Sequence, residues 1–105
     1  MAKSIFLENL LYVMTIERGK LYNRINKEMV IKHVGFIKNL DDNGKLVLCG
    51  PLKGYPGVAG MIIFRAENEK EAKNICKSEP FVAEGYASFK LGIMRVGNRE
   101  NNYLL

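Results

Sequence analysis

Cysteine is scarce in this sequence, and its two residues, Cys49 and Cys76, have no C-x-x-C spacing. Neither has a second cysteine or a histidine at the sequence distance typical of a metal site, and the chain holds a single histidine, His33. These absences argue against a disulfide framework and against a structural zinc site. Because both cysteines lie in apolar segments, we expect two buried free thiols in a reducing compartment.

Long apolar runs are also missing. The apolar segments 5–7 and 10–16 are separated by Glu8 and Asn9, and the second meets Glu17 with no small-residue cleavage site after it. No stretch reaches the roughly 20 apolar residues that a membrane-spanning helix needs. The sequence therefore predicts a soluble, cytoplasmic protein without a membrane partner.

Glycine-rich phosphate loops and a nucleophilic serine elbow are absent as well. The glycines between positions 50 and 60 follow neither G-x-x-x-x-G-K-[ST] nor G-x-G-x-x-G. The five methionines are better explained as filler of a core or an interface than as a metal site. We therefore expect neither a metal ion nor an organic cofactor.

Negative charge is in the minority, with 11 Asp and Glu against 16 Lys and Arg, and the net charge is +5. The basic residues are scattered without an arginine-rich run, so a solvated basic surface explains them better than a nucleic-acid stripe. An RNA-binding domain would need a basic Gly-Phe-like string with exposed aromatics on its third strand, where segment 58–64 offers only Phe64. We expect no nucleic-acid partner.

The length of 105 residues and a hydrophobic fraction of 48% predict one domain, residues 1–105, with a real core. Apolar runs, amphipathic spacing and capping residues predict four strands and two helices. The strands are expected at 10–16, 46–49, 58–65 and 86–96, and the helices at 26–40 and 68–79. Residues 1–9 would form an N-terminal arm and residues 97–105 a polar tail.

The order βαββαβ predicts an α+β, ferredoxin-like fold, a four-stranded antiparallel sheet with two helices on one face. The first and third strands are apolar on both sides, which favours the middle of the sheet for both. The face without helices would then be apolar and need a cover. We expect a homodimer that packs sheet to sheet, with the N-terminal arm or the C-terminal tail as the alternative cover.

Two polar residues lie on the faces of the predicted helices that would pack against the sheet. His33 lies in the apolar stripe of the first helix, and Glu79 follows Ala72, Ile75 and Cys76 at helical spacing on the second. A buried carboxylate needs a partner, and the C-terminal end of a helix disfavours its charge. Pairing with the histidine would offset both costs and create an acid/base couple. The alternatives are a satisfied core histidine and a carboxylate that reaches solvent.

The sequence resembles the YCII-related domain family, the YciI-like proteins, over residues 10–96. The strongest matches are His33 in the first helix, the Gly50-Pro51 pair after the second strand, and the acid-Pro-aromatic string Glu79-Pro80-Phe81. The other matching positions are Leu46 to Cys49, Gly60, Glu71-Ala72 and Gly85.

The resemblance implies a dimeric α+β barrel of ferredoxin-like subunits, a fold shared with muconolactone isomerase-like proteins. It implies an active site that pairs a helix-1 histidine with the Asp of an Asp-Pro-aromatic motif, roles that map onto His33 and Glu79. One relative resembles a dehydrochlorinase of a chlorinated hydroxyhydroquinone, and most members have no assigned reaction. The sequence departs from the family pattern at Glu79, which replaces the Asp, at Met61, which replaces a Ser, and at Val30, which replaces an Arg.

The expected function is that of a small lyase or isomerase acting on a small cyclic or aromatic acid. His33 would be the general base, and Glu79 would orient its imidazole and stabilise its charged form. The pocket would be shaped by Tyr12, Gly50, Pro51 and Phe81. The alternative is a non-catalytic homodimer, either structural or binding an unidentified small molecule, whose pocket has been repurposed.

Overall fold

The computed structural model describes residues 10–105, so the predicted N-terminal arm, residues 1–9, lies outside the described part. The strands are β1 (Leu10–Arg18), β2 (Leu46–Pro51), β3 (Val58–Phe64) and β4 (Ala87–Arg95). The helices are α1 (Lys27–Asp42), α2 (Glu69–Ser78) and the single turn α3 (Pro80–Ala83), and 3-10 turns span Tyr22–Arg24 and Asn102–Leu104. The strands form one antiparallel sheet in the order β2-β3-β1-β4. The predicted ferredoxin-like architecture, with β1 and β3 in the middle, is confirmed.

The second strand is longer than predicted. Its expected end at Cys49 is wrong, because Gly50 pairs with Met61 and Pro51 pairs with Gly60 of β3. Proline has no N–H to donate, but β2 lies at the edge of the sheet and has a strand on one side only. The Gly50-Pro51 pair is therefore the end of an edge strand rather than the turn that follows it.

The first helix begins and ends through local signals. Asn26 accepts a hydrogen bond from the Met29 N–H at 3.0 Å, as expected of an N-cap. The helix ends at Asp42, and Gly44 follows with a φ of 71°, a conformation that glycine adopts at little cost. Val30, an apolar residue in the first turns of this helix, is exposed.

The second helix begins with a variant of the capping box. Asn68 accepts a hydrogen bond from the Glu71 N–H at 2.8 Å. The Glu71 carboxylate reaches back to the N–H of Glu67 at 2.9 Å, one residue further than the standard box. This hydrogen bond is the main cause that lowers the pKa of the Glu71 carboxyl, and the Lys45 ammonium 3.2 Å away lowers it further.

The core lies between the sheet and the helices. Its largest fully buried side chains are Phe64, Met14, Ile62, Glu79 and Cys76. The expectation of two buried thiols is wrong for Cys49, which is exposed because β2 is an edge strand. Burial of Cys76 raises the pKa of its thiol to about 11.

The opposite face of the sheet carries apolar side chains without a helix above them. Paired positions such as Leu11 with Met94 and Val13 with Ile63 point to this side. We call this surface the open face; its apolar members are Leu11, Val13, Leu48, Met61, Ile63 and Met94. The apolar character that the sequence predicted for it is present.

In the predicted polar tail, Asn98 and Asn101 each accept a hydrogen bond from the backbone N–H of the other, at 2.9 and 3.0 Å. None of the helices in residues 10–105 combines the length and the apolar character needed to cross a membrane.

Candidate active site

His33 of α1 and Glu79, between α2 and α3, meet beneath the helices. The distance between His33 Nδ1 and Glu79 Oε2 is 2.7 Å. The Glu79 side chain has no exposed surface, whereas 24% of the His33 side chain is exposed. The buried carboxylate therefore sits behind an imidazole that still reaches solvent.

Glu79 is held by a break between two helices. Its backbone is extended (φ −62°, ψ 128°), and its Oε1 accepts a hydrogen bond from the Val82 N–H at 3.0 Å. The carboxylate thus caps the N-terminus of α3, an end that favours negative charge. The helical spacing alone predicts Glu79 at the C-terminal end of a helix, where its charge is unfavourable. Proline is also a common first residue of a helix, and that signal was available.

Phe81 and Glu79 together fix the orientation of the imidazole. The rings of His33 and Phe81 are stacked, with centroids 4.6 Å apart and planes 7° apart. Tyr22 supports Phe81 edge-on at 6.2 Å. Because an ionised carboxylate only accepts hydrogen bonds, Nδ1 donates to Glu79, and the neutral imidazole then carries its lone pair on Nε2. Within residues 10–105, Nε2 has no hydrogen-bond partner.

A cavity of about 320 Å³ lies between α1 and the β2–β3 side of the sheet, and His33 lines it. This volume is at the lower end of the range for small-molecule sites. Its walls are mostly apolar. The lining residues are Ile16, Tyr22, His33, Val34, Ile37, Lys38, Cys49, Gly50, Pro51, Ala59, Gly60, Met61, Ile62 and Phe81.

Three of the four residues expected to shape the pocket line this cavity: Gly50, Pro51 and Phe81. Tyr12 does not, because it is buried in the core and stacks on Phe64 at a centroid distance of 5.9 Å. Tyr12 occupies a central strand, where its neighbours cover it on every side.

Three polar lining residues were not predicted from the sequence: Tyr22, Lys38 and Cys49. Lys38 follows the lining residue Val34 by four positions, but it lies about 140° around the helix from His33, so the helical spacing of the His33 face does not predict it. Cys49 directly precedes the Gly50-Pro51 pair. Tyr22 lies in a 3-10 turn, for which the sequence carried no clear signal.

The floor of the cavity depends on a close backbone contact between β2 and β3. A Cβ atom at Gly60 would lie 2.8 Å from the Gly50 carbonyl oxygen and 3.3 Å from the Pro51 Cα. Only glycine permits this approach. Met61 follows Gly60 and also lines the cavity, although its pairing with Thr15 places its side chain on the open face.

Metal-binding groups are not gathered at this site. Across residues 10–105, no set of three His, Cys, Asp or Glu side chains lies close enough together to hold a metal ion.

Comparison with known proteins agrees with this architecture. The sequence model of the YCII-related domain matches residues 10–91. Among solved structures, the chain is similar to 5-chloro-2-hydroxyhydroquinone dehydrochlorinase from Burkholderia phenoliruptrix in complex with 2,5-dihydroxybenzoquinone, with a TM-score of 0.65 and 16% identity. The similarity covers 88% of this chain and 98% of that one, and it establishes a common fold. No curated protein matches the sequence significantly. Because the family match spans most of its length, the chain belongs to the YCII-related domain family.

Proposed function

We propose that this protein is a small-molecule enzyme of the lyase or isomerase type, in which His33 removes a proton from a small cyclic or aromatic acid. The observation that carries the proposal is the 2.7 Å contact between His33 and Glu79 at the wall of the cavity. With Nδ1 bound to the carboxylate, the unpartnered Nε2 is the nitrogen available to a ligand. An imidazole held in this way suits a general base near neutral pH.

Glu79 acts in this proposal as a positioning residue that does not touch the substrate. Its carboxylate selects the tautomer of His33 and fixes the ring by one hydrogen bond, while Val82 holds its other oxygen. When His33 takes up a proton, the imidazolium lies beside a carboxylate that is shielded from water. The attraction between two such charges is stronger there than in bulk solvent.

A single base in an apolar cavity suits reactions that start with loss of a proton. In an elimination, the base takes the proton, the freed electron pair forms the new double bond, and the leaving group departs with its own bonding pair. In an isomerisation, the same base returns the proton to another carbon. The structural neighbour is named as a dehydrochlorinase, which is an elimination enzyme, and this supports the lyase alternative.

The proposal is tested by turnover of 5-chloro-2-hydroxyhydroquinone and by proton NMR of hydrogen exchange into small cyclic and aromatic acids in deuterated water. His33→Gln should lower the rate about 10²- to 10⁴-fold, the usual contribution of a general base. Lys27→Gln, an exposed change on the same helix, should keep the wild-type rate. Equal rates in wild type and His33→Gln would contradict the proposal.

The positioning role of Glu79 has its own readout. Nitrogen NMR should show His33 protonated at Nδ1 in the wild type, and Glu79→Gln should lose this tautomer preference. The same variant should lower kcat with little change in KM, because the substrate does not contact Glu79. A purely structural role predicts loss of stability with an unchanged tautomer in the folded fraction.

A non-catalytic small-molecule binder is the competing function. It is favoured by Met61 and Val30, apolar residues at two positions where the family pattern carries polar ones. In that case a bound ligand raises the melting temperature, His33→Gln keeps its affinity, and neither protein shows turnover. Measurements on the wild type and His33→Gln therefore distinguish the enzyme from the non-catalytic binder.

We further infer that the working form is a homodimer that packs open face to open face. The open face carries apolar side chains on all four strands, beside the polar pair Thr15 and Lys90, and Leu48 and Met94 on it are exposed in the single chain. A second cavity of about 240 Å³ also opens there, lined in part by Leu48, Leu52 and Ile63. A second copy would remove this surface from water.

A further inference from the structure

Lys38 is the one permanently charged side chain among the described residues that line the cavity. No carboxylate of residues 10–105 lies within 4.0 Å of its ammonium group. Asp41 and Asp42 follow it on α1, but a lysine that precedes its acid forms the weaker helical pair. Other lysines in the described chain do have acidic partners: Lys32, Lys45 and Lys73.

Lys38 and His33 lie at opposite ends of the α1 flank that borders the cavity. Lys38 lies five positions after His33, which corresponds to about 7.5 Å along the helix axis. The wall between and opposite them is apolar, with Ile37 on the helix and Ala59 and Ile62 on β3. The cavity thus presents a base at one end, a cation at the other, and an apolar slot between.

We propose that Lys38 determines substrate specificity by binding the carboxylate of a single-ring acid whose ring fills the slot. The anion at the Lys38 end then holds the opposite side of the ring against Nε2 of His33. The inference rests on the proposed function, since it specifies which acid that site accepts. The net charge of +5 further favours an anionic ligand at this opening.

Cys49 offers a reporter of cavity occupancy that does not depend on turnover. It pairs with the buried Ile62, so its side chain points to the helix side of the sheet, where it lines the cavity. Cys49 is exposed, whereas Cys76 is buried and has its pKa raised to about 11. Iodoacetamide should therefore alkylate Cys49 alone in the native protein.

The experiment measures by mass spectrometry how benzoate and benzamide slow this alkylation at constant ionic strength. The two probes have nearly the same shape and differ in charge. In the wild type, benzoate should protect Cys49 at a concentration about three- to fivefold lower than benzamide, the effect expected of a partly exposed ion pair. Lys38→Met, which keeps the apolar stem, should abolish the preference, and Lys38→Arg should retain it. Lys32→Met, on the same helix but paired with Glu84 outside the cavity, should behave as wild type.

Equal protection by both probes in the wild type, no protection by either, or an unchanged preference in Lys38→Met would each overturn the proposal. Repeating the measurement with His33→Gln separates this inference from the proposed function. If that variant keeps both the benzoate preference and the wild-type rate of turnover, the catalytic role of His33 is contradicted and the specificity role of Lys38 stands. If His33→Gln loses turnover while the wild type shows no benzoate preference, the catalytic role of His33 stands and the specificity role of Lys38 is contradicted.

Discussion

At the scale of single residues, burial separates groups that the sequence makes look alike. Cys49 and Cys76 both lie in apolar strings, yet one lines an open cavity and the other has no exposed surface. Glu79 is buried as well, but each of its oxygens has a hydrogen-bond partner, so the cost of burying a carboxylate is offset. These environments make Cys49 an exposed thiol and Glu79 a buried, hydrogen-bonded acid.

The Cys76 thiol gives stability a pH dependence of definite sign. Its pKa rises from 9.0 to about 11 on folding, so the folded state holds the proton more tightly. The contribution is complete below pH 9 and is lost as the pH rises toward 11. Between pH 8 and pH 10.5, urea denaturation should show that wild type loses about 2 kcal/mol more than Cys76→Ala, at 1.36 kcal/mol per pKa unit.

Other groups titrate in the same pH interval, but their contributions cancel when the wild type is compared with Cys76→Ala, because both proteins contain them. The fixed cost of removing the side chain also cancels, since it is the same at both pH values. A parallel loss of stability in wild type and Cys76→Ala would show that the thiol does not titrate as its burial requires.

At the scale of elements, the cavity lies between α1 and the edge strand β2, which packs closely against β3. Gly60 allows β2 to approach β3, and Pro51 ends the strand without losing a ladder hydrogen bond. On the other side, the one-turn helix α3 supplies both the cap for Glu79 and the ring that stacks on His33. The site thus combines the middle of α1, which carries His33, with the one-turn helix α3 and the end of the edge strand β2.

Gly60→Ala tests the contact between β2 and β3. The new methyl group would lie 2.8 Å from a backbone oxygen of β2, so the strand has to move. We expect a loss of about 1–3 kcal/mol in the free energy of unfolding, as for other overpacked sites, and altered alkylation of Cys49. Chemical denaturation measures the first effect and mass spectrometry the second.

Gly50→Ala is the matched control for this change. It lies on the facing strand, and a Cβ atom there would meet no atom within 4 Å. Its stability should equal that of the wild type or exceed it slightly, because alanine has fewer unfolded conformations. Equal stabilities of the two variants would contradict the steric argument.

At the scale of the whole molecule, the sheet has one face covered by helices and one face, the open face, without a helix above it in residues 10–105. The helix-covered face holds the core and the cavity, and the open face holds apolar residues of all four strands. A monomer with this surface in water would carry an association-prone patch. In the proposed dimer, pairing of two copies would cover the open face and would leave the cavities on the outer sides of the two sheets.

The double variant Leu48→Lys/Met94→Lys should convert the proposed dimer to a monomer, because it places like charges on both flanks of the open face. The control is Ile31→Lys/Leu21→Lys, outside the sheet, where the exposed fractions of 62% and 43% match the 63% and 44% of Leu48 and Met94. Sedimentation equilibrium should show a dimer for wild type and control. A monomeric wild type, or a dimeric open-face variant, would contradict the inference.

The sequence was sufficient where the signals are local. Caps at Asn26 and Asn68 and the turn at Gly44 were visible, as was the order of the elements, and with them the ferredoxin-like fold. Helical spacing also indicated the inward positions of His33 and Glu79, which the structure brings into contact. Where the prediction failed, at Tyr12, Cys49 and the end of β2, the outcome depended on neighbours distant along the chain. Each of these failures concerns exposure or pairing across strands.

The amino-acid sequence by itself thus determined which segments become helices and strands, because propensity, capping and periodicity act within a few residues. Only the tertiary structure decided which strand lies at the edge, how far α1 stands from it, and that Lys38 and His33 border one cavity. Those features arise from pairings between residues far apart in the chain, and no short stretch of sequence contains them.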